Sequence, residues 1–397
     1  MPQLKLPAVF MRGGTSKAVM FHARDLPANR DDWAPIFLSL MGSPDPSMRQ
    51  LDGMGGGVSS LSKVCIIGPS SRPDADVDYT FAQVRIDRAH VDYGNNCGNM
   101  SSAIGPFSVD EGLVPKPSGR DAVVRIHNTN TKKIIISRFH MDDGPMDERM
   151  AAVAGDLAID GVAGTGSPVR LEFLAPGGAR TGRLLPSGKA ADILDVAGFG
   201  RIPVSFIDAA NPYVFVPADA VGVTATEKPA ELEANLALMR KLEAIRRAAS
   251  VAMGIARDTE AAGQLSGPGI AMVAAPVVMT TLSGQELRPA DMDIAVRFIS
   301  NGQPHRASPM TGAMCLAVAT RVPGSIPNEM ARKGGDPNQI RIGHPSGRVV
   351  VDAKVDAAKI DAGKTDVGKA GAEPHAEYAA VYRTTRRLFE GRVLYRQ

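Results

Sequence analysis

Short apolar runs separated by turns rich in glycine and proline dominate the chain. Runs of this length, bounded by turn residues and rich in Val, Ile and Phe, predict β-strands. The pattern persists from one end of the sequence to the other and predicts a β-rich protein. The predicted strands span residues 4–10, 18–21, 63–67, 79–86, 123–139, 171–174, 181–185, 202–207, 213–216, 270–278, 294–298, 378–382 and 392–395.

A different period follows Cys97. Met100, Ala103, Ile104 and Phe107 repeat at i, i+3, i+4 and i+7, which is the spacing of one helix face. Asn96 is the predicted N-cap, since asparagine side chains accept hydrogen bonds from the first turn. The sequence therefore predicts a short helix that begins near Cys97.

Two further segments predict helices, and a third predicts neither helix nor strand. Residues 231–253 carry an apolar stripe at helical spacing, with Pro229 near the start. Residues 311–322 are apolar on nearly all sides, which is typical of a helix buried all round. Residues 352–374 consist mostly of Ala, Lys, Asp and Gly and predict an extended, mobile excursion between two strands.

The two halves of the chain share an outline. In each half, strands lead to a turn of small residues and then to a short helix, which opens at residues 95–100 in the first half and 307–312 in the second. This predicts a duplicated unit in which a curled sheet wraps a helix, with the two helix N-termini facing each other across a cleft. Chance similarity of two strand–turn–helix units is the alternative.

Composition limits the functional classes. The chain has 397 residues, 44% hydrophobic and 22% charged, and its net charge of +3 is too small to indicate nucleic acid or a membrane surface as partner. The N-terminus lacks the apolar run of a signal peptide, so a cytoplasmic location is expected. Three cysteines without CxxC spacing, and isolated histidines, argue against a disulfide scaffold and a metal site.

Cys97 is the first candidate for chemistry. A helix N-terminus presents unpaired N–H groups and partial positive charge, which favour carboxylates and stabilise a thiolate. The polar Asn-Asn-Cys-Gly-Asn setting favours an acid or base over the alternative, a small core residue. Cys65, in an apolar strand, and Cys315, in an apolar helix, fit core packing better.

Lys63 is the second candidate, because it directly precedes an apolar strand and follows a run of mostly small residues. A partly buried lysine can act as a base. The alternative is a lysine whose ammonium reaches the surface.

Several longer motifs resemble those of the 2-methylaconitate cis-trans isomerase family of propionate catabolism, and the resemblance runs over essentially the whole chain. The motifs are Met-Arg-Gly-Gly-Thr-Ser-Lys at 11–17, Met-Gly-Ser-Pro-Asp at 41–45, Leu-Asp-Gly-Met-Gly-Gly at 51–56, Ser-Ser-Leu-Ser-Lys at 59–63 and Asn-Cys-Gly-Asn at 96–99.

The resemblance implies an α+β, diaminopimelate epimerase-like fold of two similar domains, each a curled, mostly antiparallel sheet around a central helix. It implies that the C-terminal strand returns to the first domain, which gives domains of 1–186 plus 380–397 and of 187–379. It also implies that Lys63 and Cys97 are the catalytic pair. Methylitaconate isomerases and 4-oxalomesaconate tautomerases share this fold.

One feature departs from the epimerases of this fold, which place a cysteine at each helix start. Here the second helix starts with Pro309, Met310, Thr311 and Gly312, and Cys315 lies too far along. A lysine–cysteine pair suits a proton shift on one face better than two-thiol racemisation.

The resulting hypothesis is an isomerase of 2-methyl-trans-aconitate or a close relative that needs no cofactor. Lys63 and Cys97 remove and return an allylic proton. An aconitase-like dehydratase and a second copy of the chain are the partners considered. The predicted substrate contacts are Ser16, Gly56, Ser59, Ser60, Asn96, Gly98, Asn99, Met310, Thr311 and Gly312.

Three alternatives remain open at this point. The first is a tautomerase of a related unsaturated acid such as methylitaconate or 4-oxalomesaconate. The second is a non-catalytic protein that binds a tricarboxylate beside an aconitase-like enzyme. The third is a thiol acyl-transfer enzyme, which needs a histidine near Cys97.

Overall fold

A computed structural model describes residues 3–336, 339–356 and 374–396. The chain forms two compact units, Met1–Glu172 with Tyr382–Gln397, and Phe173–Val381. The family resemblance implied domain limits at residues 186 and 380. The chain leaves the first unit after residue 172, which is earlier than this expectation.

The helices are α1 Trp33–Met41, α2 Gly98–Asp110, α3 Pro229–Ala234, α4 Leu236–Ala252, α5 Thr259–Gln264, α6 Met310–Ala319 and α7 Ile326–Met330. The strands are β1 Gln3–Gly13, β2 Ser16–His22, β3 Lys63–Pro69, β4 Val77–Val84, β5 Val91–Asp92, β6 Asp121–Asn128, β7 Lys133–His140, β8 Leu157–Ala158, β9 Thr165–Gly166, β10 Val169–Leu174, β11 Asp192–Val196, β12 Gly200–Ala209, β13 Asn211–Pro217, β14 Gly269–Ala274, β15 Met279–Thr280, β16 Glu286–Leu287, β17 Ile294–Ser300, β18 Gln303–Pro304, β19 Gln339–His344, β20 Gly347–Asp356, β21 His375–Arg383 and β22 Thr385–Arg396. In the part of the chain that the structure describes, no helix has the length and apolar character needed to cross a bilayer.

The sheet of the first unit runs in the order β22, β1, β2, β3, β4, β6, β7. The pairs β2–β3 and β4–β6 are parallel, and the other pairs are antiparallel. The C-terminal strand β22 thus pairs with the N-terminal strand β1, as the resemblance implied.

Helix α2 lies inside this sheet and contacts six of its strands, including both β1 and β7. Every residue from Gly98 to Val109 is buried. The buried serines are satisfied within the helix itself, since Ser102 donates to the Asn99 carbonyl at 2.6 Å and Ser108 to that of Ile104 at 2.7 Å. The sequence pattern identified one buried face, and the enclosing sheet buries the others as well.

The second unit repeats this plan. Its sheet runs β11, β12, β13, β14, β17, β19, β20, β21, with parallel pairs at β13–β14 and β17–β19 and antiparallel pairs elsewhere. Helix α6 follows the two-residue strand β18, just as α2 follows β5, and it is buried along its whole length. The same order of parallel and antiparallel pairs around a buried helix confirms the predicted duplication.

The amphipathic segment 231–253 differs from its prediction. It forms two helices, α3 and α4, because Asn235 ends the first and caps the second by accepting a hydrogen bond from the Leu238 N–H at 3.0 Å. Asparagine is among the strongest N-cap residues, which explains the break. Leu236, an apolar residue within the predicted helix 231–253, is 64% exposed.

Two other segments differ from their predicted structure. Residues 181–185 form no strand, because the segment turns around Asp208, whose carboxylate accepts hydrogen bonds from the Arg180 and Thr181 N–H groups at 2.9 and 2.6 Å. Residues 352–356 belong to β20, so the predicted excursion does not begin at 352. The rest of that excursion, 357–373, lies outside the described residues.

Asp110, the last residue of α2, makes stability depend on pH. Burial raises the pKa of its carboxyl to about 6, although the Ala151 N–H donates to it at 2.8 Å. A carboxyl whose pKa is raised by folding stabilises the fold while protonated, and this contribution is lost as pH rises from about 4 through about 6. We expect Asp110→Asn to raise the free energy of unfolding by about 1–2 kcal/mol at pH 8 and to change it little at pH 4. Urea unfolding at both pH values measures this, and equal effects at both would contradict it.

Candidate active site

Lys63 is a buried cation held by neutral groups. It is the first residue of β3, is 8% exposed, and pairs in register with Gln83 on β4. Its Nζ donates to the Gln83 Oε1 at 2.6 Å and lies 4.9 Å from the centre of the Phe81 ring. Among the described residues, no carboxylate lies within salt-bridge distance of this ammonium. Lys63 therefore does not reach the surface as an ordinary lysine does.

The turn before β3 fixes the Lys63 partner. The Gln83 Nε2 donates to the carbonyls of Ser59 and Ser62, at 3.1 and 2.9 Å. The Gln83 oxygen is therefore directed at the lysine. The backbone carbonyls of Ser59 and Ser62 thus position the Gln83 side chain that accepts the hydrogen bond from Lys63.

The loop that precedes this turn is rich in glycine because it wraps the buried side chain of Gln50. The Gln50 Nε2 donates to Ser62 Oγ at 2.8 Å, and its Oε1 accepts from the Gly57 N–H at 3.0 Å. A Cβ on Gly55 would meet the Gln50 carboxamide at 2.2 Å, and one on Gly56 would meet Leu61 at 2.7 Å. Close packing against Gln50 and Leu61 therefore requires glycine at positions 55 and 56.

Cys97 is the N-cap of α2, whereas the sequence pattern predicted Asn96 at this position. The Cys97 side chain accepts no capping hydrogen bond, and its carbonyl accepts the Ser101 N–H at 2.9 Å. Asn96 is turned instead toward Ser101 and Asn128, whose side chains donate to its Oδ1 at 3.3 Å each. Cys97 is 9% exposed and directly precedes the first-turn residues Gly98 and Asn99, whose N–H groups lack helical partners.

Cys65 links the two candidate residues electrostatically. Burial raises the pKa of the Cys65 thiol, the charge of Cys97 raises it further, and the charge of Lys63 opposes both. Burial likewise raises the pKa of the Tyr79 phenol, and Cys65 and Cys97 add to that shift. Lys63 and Cys65 lie two positions apart on the same face of β3, and α2, whose N-cap is Cys97, contacts this strand.

Cys65 and Cys315 are core residues, as predicted. Both are fully buried, and burial raises the pKa of each thiol. Cys65 donates to the Tyr79 hydroxyl at 3.7 Å, and Cys315 donates to the Ile207 carbonyl at 3.5 Å. Both thiols remain protonated at neutral pH.

The β1–β2 turn packs on the first turn of α2. The Asn99 Nδ2 donates to Thr15 Oγ1 at 3.0 Å, while its Oδ1 accepts from the Arg383 Nε at 3.2 Å. A Cβ on Gly14, where φ is +50°, would meet that Oδ1 at 2.4 Å. Ser16, the first residue of β2, is buried beside this turn.

The structure distributes the other predicted contacts over two units. Ser16, Gly56, Ser59, Ser60, Asn96, Gly98 and Asn99 belong to the first unit with Lys63 and Cys97, whereas Met310, Thr311 and Gly312 form the first turn of α6 in the second unit. Asn211 Nδ2 donates to Thr311 Oγ1 at 3.0 Å. This bond repeats the Asn99–Thr15 bond, with the two residue types exchanged.

The second unit lacks the lysine–cysteine pair. The strand pair Ala271–Phe298 of the second unit corresponds to the pair Cys65–Phe81 of the first. Two positions earlier on each strand, Gly269 therefore takes the place of Lys63. The N-cap of α6 is Pro309, which takes the place of Cys97. A tyrosine ring fills the space that results: a Cβ on Gly269 or Gly312 would meet Tyr213 at 2.3 and 2.9 Å. The groups capable of proton transfer at these positions therefore belong to the first unit alone.

The sequence analysis did not predict two residues of the first unit that contact candidate site residues. Gln83 continues the alternation of Tyr79 and Phe81 along β4, and this period of two was the signal that it shares a face with them. Arg383 follows a predicted strand, and no local pattern connects it with Asn99, 284 positions away. Within the described ranges, no three His, Cys, Asp or Glu side chains come together as a metal site.

Comparisons with known proteins identify the family of the chain. The family model described as PrpF protein matches residues 3–396. A 3-methylitaconate isomerase of Eubacterium barkeri is 40% identical over 98% of this chain and 97% of its own length. A 2-methyl-aconitate isomerase of Shewanella oneidensis is 38% identical over 89% of this chain and 90% of its own.

Solved structures agree on the fold. The crystal structure of a methylitaconate-delta-isomerase, 39% identical, superposes with a TM-score of 0.76 and covers 100% of this chain and 96% of its own. A hydroxyproline epimerase of Agrobacterium vitis is 11% identical and superposes with a TM-score of 0.54 over 98% of this chain and 92% of its own. This second likeness shows the fold alone and confirms the expected epimerase-like architecture.

The duplicated fold and the relatives together define the protein as an isomerase. More specifically, the chain belongs to the PrpF protein family.

Proposed function

We propose that the protein isomerises 2-methyl-trans-aconitate to 2-methyl-cis-aconitate and that Lys63 and Cys97 transfer the proton. The observation that carries this proposal is that the buried Lys63 lies on β3, a strand that contacts α2, and that Cys97 is the N-cap of α2. The Shewanella relative, named for this activity, supports the choice of substrate.

The reaction balances with one proton and no other reagent. One of the two residues removes a proton from the carbon next to the double bond, where the adjacent carboxylate makes it acidic. The electron pair left behind delocalises into a dienolate, in which the former double bond can rotate. The proton then returns to the same carbon. First-turn N–H groups of α2 stabilise the negative charge that develops on the carboxylate oxygens.

Solvent deuterium tests the proposal. In D₂O we expect deuterium at the allylic carbon of the product, detected by NMR, and none in a control without enzyme. A non-catalytic tricarboxylate-binding protein gives tight binding of trans-aconitate and no deuterium in any acid, and that result would overturn the proposal.

The same experiment assigns the base. A lysine ammonium carries three exchangeable hydrogens, so the abstracted proton returns in at most about one third of turnovers. A thiol carries one, so it can return most of the original hydrogen. The fraction of hydrogen retained in the first turnovers, measured by mass spectrometry, therefore distinguishes Lys63 from Cys97.

Isomerisation of 3-methylitaconate is the second candidate, favoured by the larger share of the chain that the Eubacterium relative matches. Initial rates with methylaconitate, methylitaconate and 4-oxalomesaconate, followed by ultraviolet absorbance, separate the candidates. We expect the highest kcat/KM with methylaconitate. A higher value with either other acid would replace the proposed substrate.

We also propose a setting for the reaction. An unsaturated tricarboxylate of this kind is the product of dehydration of a methylated hydroxy-tricarboxylate, so an aconitase-like dehydratase is the proposed functional partner, in the breakdown of propionate. Three free cysteines suit the cytoplasm. Size-exclusion chromatography with light scattering tests whether the chain forms the homo-oligomer considered.

A further inference from the structure

Arg383 is a buried cation without an acidic partner. It is the last residue of β21 and is 6% exposed. Its Nε donates to the Asn99 Oδ1 at 3.2 Å and its Nη1 to the Tyr382 carbonyl at 2.9 Å, and both acceptors are neutral. Asp160 acts on it only through longer-range electrostatics. Burial lowers the pKa of the guanidinium to about 10, so it remains charged at neutral pH.

The other buried or half-buried arginines of the first unit form ion pairs or donate hydrogen bonds to backbone carbonyls. Arg387 forms an ion pair with Glu111. The Arg12 Nη1 donates to the carbonyls of Gly14 and Thr384, at 3.0 and 2.9 Å. Arg383 differs, because its Nη2 bonds to no described residue. A guanidinium has five N–H donors in a planar fork, and the edge that carries Nη2 is left open here to an acceptor such as a carboxylate.

The open edge of the Arg383 guanidinium lies beside the N-terminus of α2. Arg383 bonds to the second residue of the helix, and its Cδ would lie 3.1 Å from a Cβ on Gly14, in the turn that packs there. The first-turn N–H groups of α2 and the Arg383 guanidinium are therefore neighbours. A buried unpaired charge is costly in free energy, and an anion bound between these groups would remove the cost.

We propose that Arg383 binds one carboxylate of the substrate, jointly with the first-turn N–H groups of α2, and so selects acids with several carboxylates. The inference rests on the proposed function for the identity of the acid. Asn99 is a positioning residue in this arrangement, since its side chain fixes the guanidinium through Oδ1 and is itself fixed by Thr15.

Binding of trans-aconitate and of the dicarboxylate mesaconate, measured by calorimetry on the full chain, tests the proposal. We expect Arg383→Met to weaken trans-aconitate binding by about 10- to 100-fold. Mesaconate binding, without the third carboxylate, is expected to weaken several-fold less. Arg383→Lys keeps the charge but not the planar fork, so an intermediate loss is expected. This variant also provides the measurement if Arg383→Met fails to fold.

Arg12→Met is the matched control, because it removes a guanidinium of the same sheet whose donors go to backbone carbonyls. It is expected to lower the unfolding temperature and to leave the ratio of the two dissociation constants unchanged. Unchanged trans-aconitate binding in both Arg383 variants, or equal losses for both acids, would overturn the inference. Wild-type protein that binds trans-aconitate through Arg383 but isomerises nothing would overturn the proposed function alone.

Discussion

Replacing Lys63 by methionine is expected to lower kcat for methylaconitate by about 1,000-fold, within the range seen when a general acid or base is removed. Methionine keeps an unbranched apolar stem over the Phe81 ring and removes only the ammonium. Steady-state rates measure the loss. Calorimetry with trans-aconitate shows whether binding survives, and thermal unfolding reports the cost of leaving the Gln83 oxygen without its donor.

Lys133→Met is the control for this variant. Lys133 also begins a strand of the same sheet, but it is only partly buried. Its kcat is expected to stay within about twofold of wild type. A folded Lys63→Met protein that keeps more than about a tenth of wild-type kcat would exclude Lys63 from the proton transfer.

Serine in place of Cys97 is expected to lower kcat by about 10²- to 10⁴-fold, because a hydroxyl is a far weaker acid than a thiol and its anion is not accessible near neutral pH. The change is small in volume and removes no capping bond, since the Cys97 side chain makes none. Folding should therefore be unaffected, and the loss should appear in kcat more than in KM. The kinetic constants for methylaconitate give both.

Cys315→Ser makes the same chemical change at the second buried helix. Serine can still donate to the Ile207 carbonyl, so a modest loss of stability and near wild-type kcat are expected. If the Cys97 and Cys315 variants lose activity equally, the thiol at the start of α2 has no special function. If Cys97→Ser and Lys63→Met are both fully active, the proposed pair is wrong.

Local patterns in the sequence were enough to predict the outline of the fold. Alternating apolar runs and turn residues gave most of the strands, and the uniform apolar character of residues 311–322 gave a helix enclosed on all sides, which is α6. Such features depend on residues within a few positions of one another. A competing local signal accounts for the error at Asn235, where a strong cap interrupts a helical period. The error at residues 181–185 arises from the distant Asp208.

The surroundings of the candidate pair could be predicted only in part. Cys97 and Lys63 were identified from their neighbours in sequence and from the family resemblance. Gln83 and Arg383 act through contacts that span 20 and 284 positions, and no periodic pattern encodes such pairs. Asn96 and Cys97 are adjacent and both polar in setting, so only backbone geometry decides which of them caps the helix.

The pairing of β22 with β1 has a consequence for biosynthesis. The two strands share eleven paired positions, and Val393 packs into the same core as Val19 and Phe21. A ribosome adding about 5–20 residues per second needs roughly 20 to 80 seconds to pass from β1 to β22. During that interval β1 has an unpaired edge, and the whole of the second unit is synthesised before β22. The half of the protein that carries Lys63 and Cys97 is thus the last to close, and a nascent chain stalled before β22 holds both residues without a finished sheet around them.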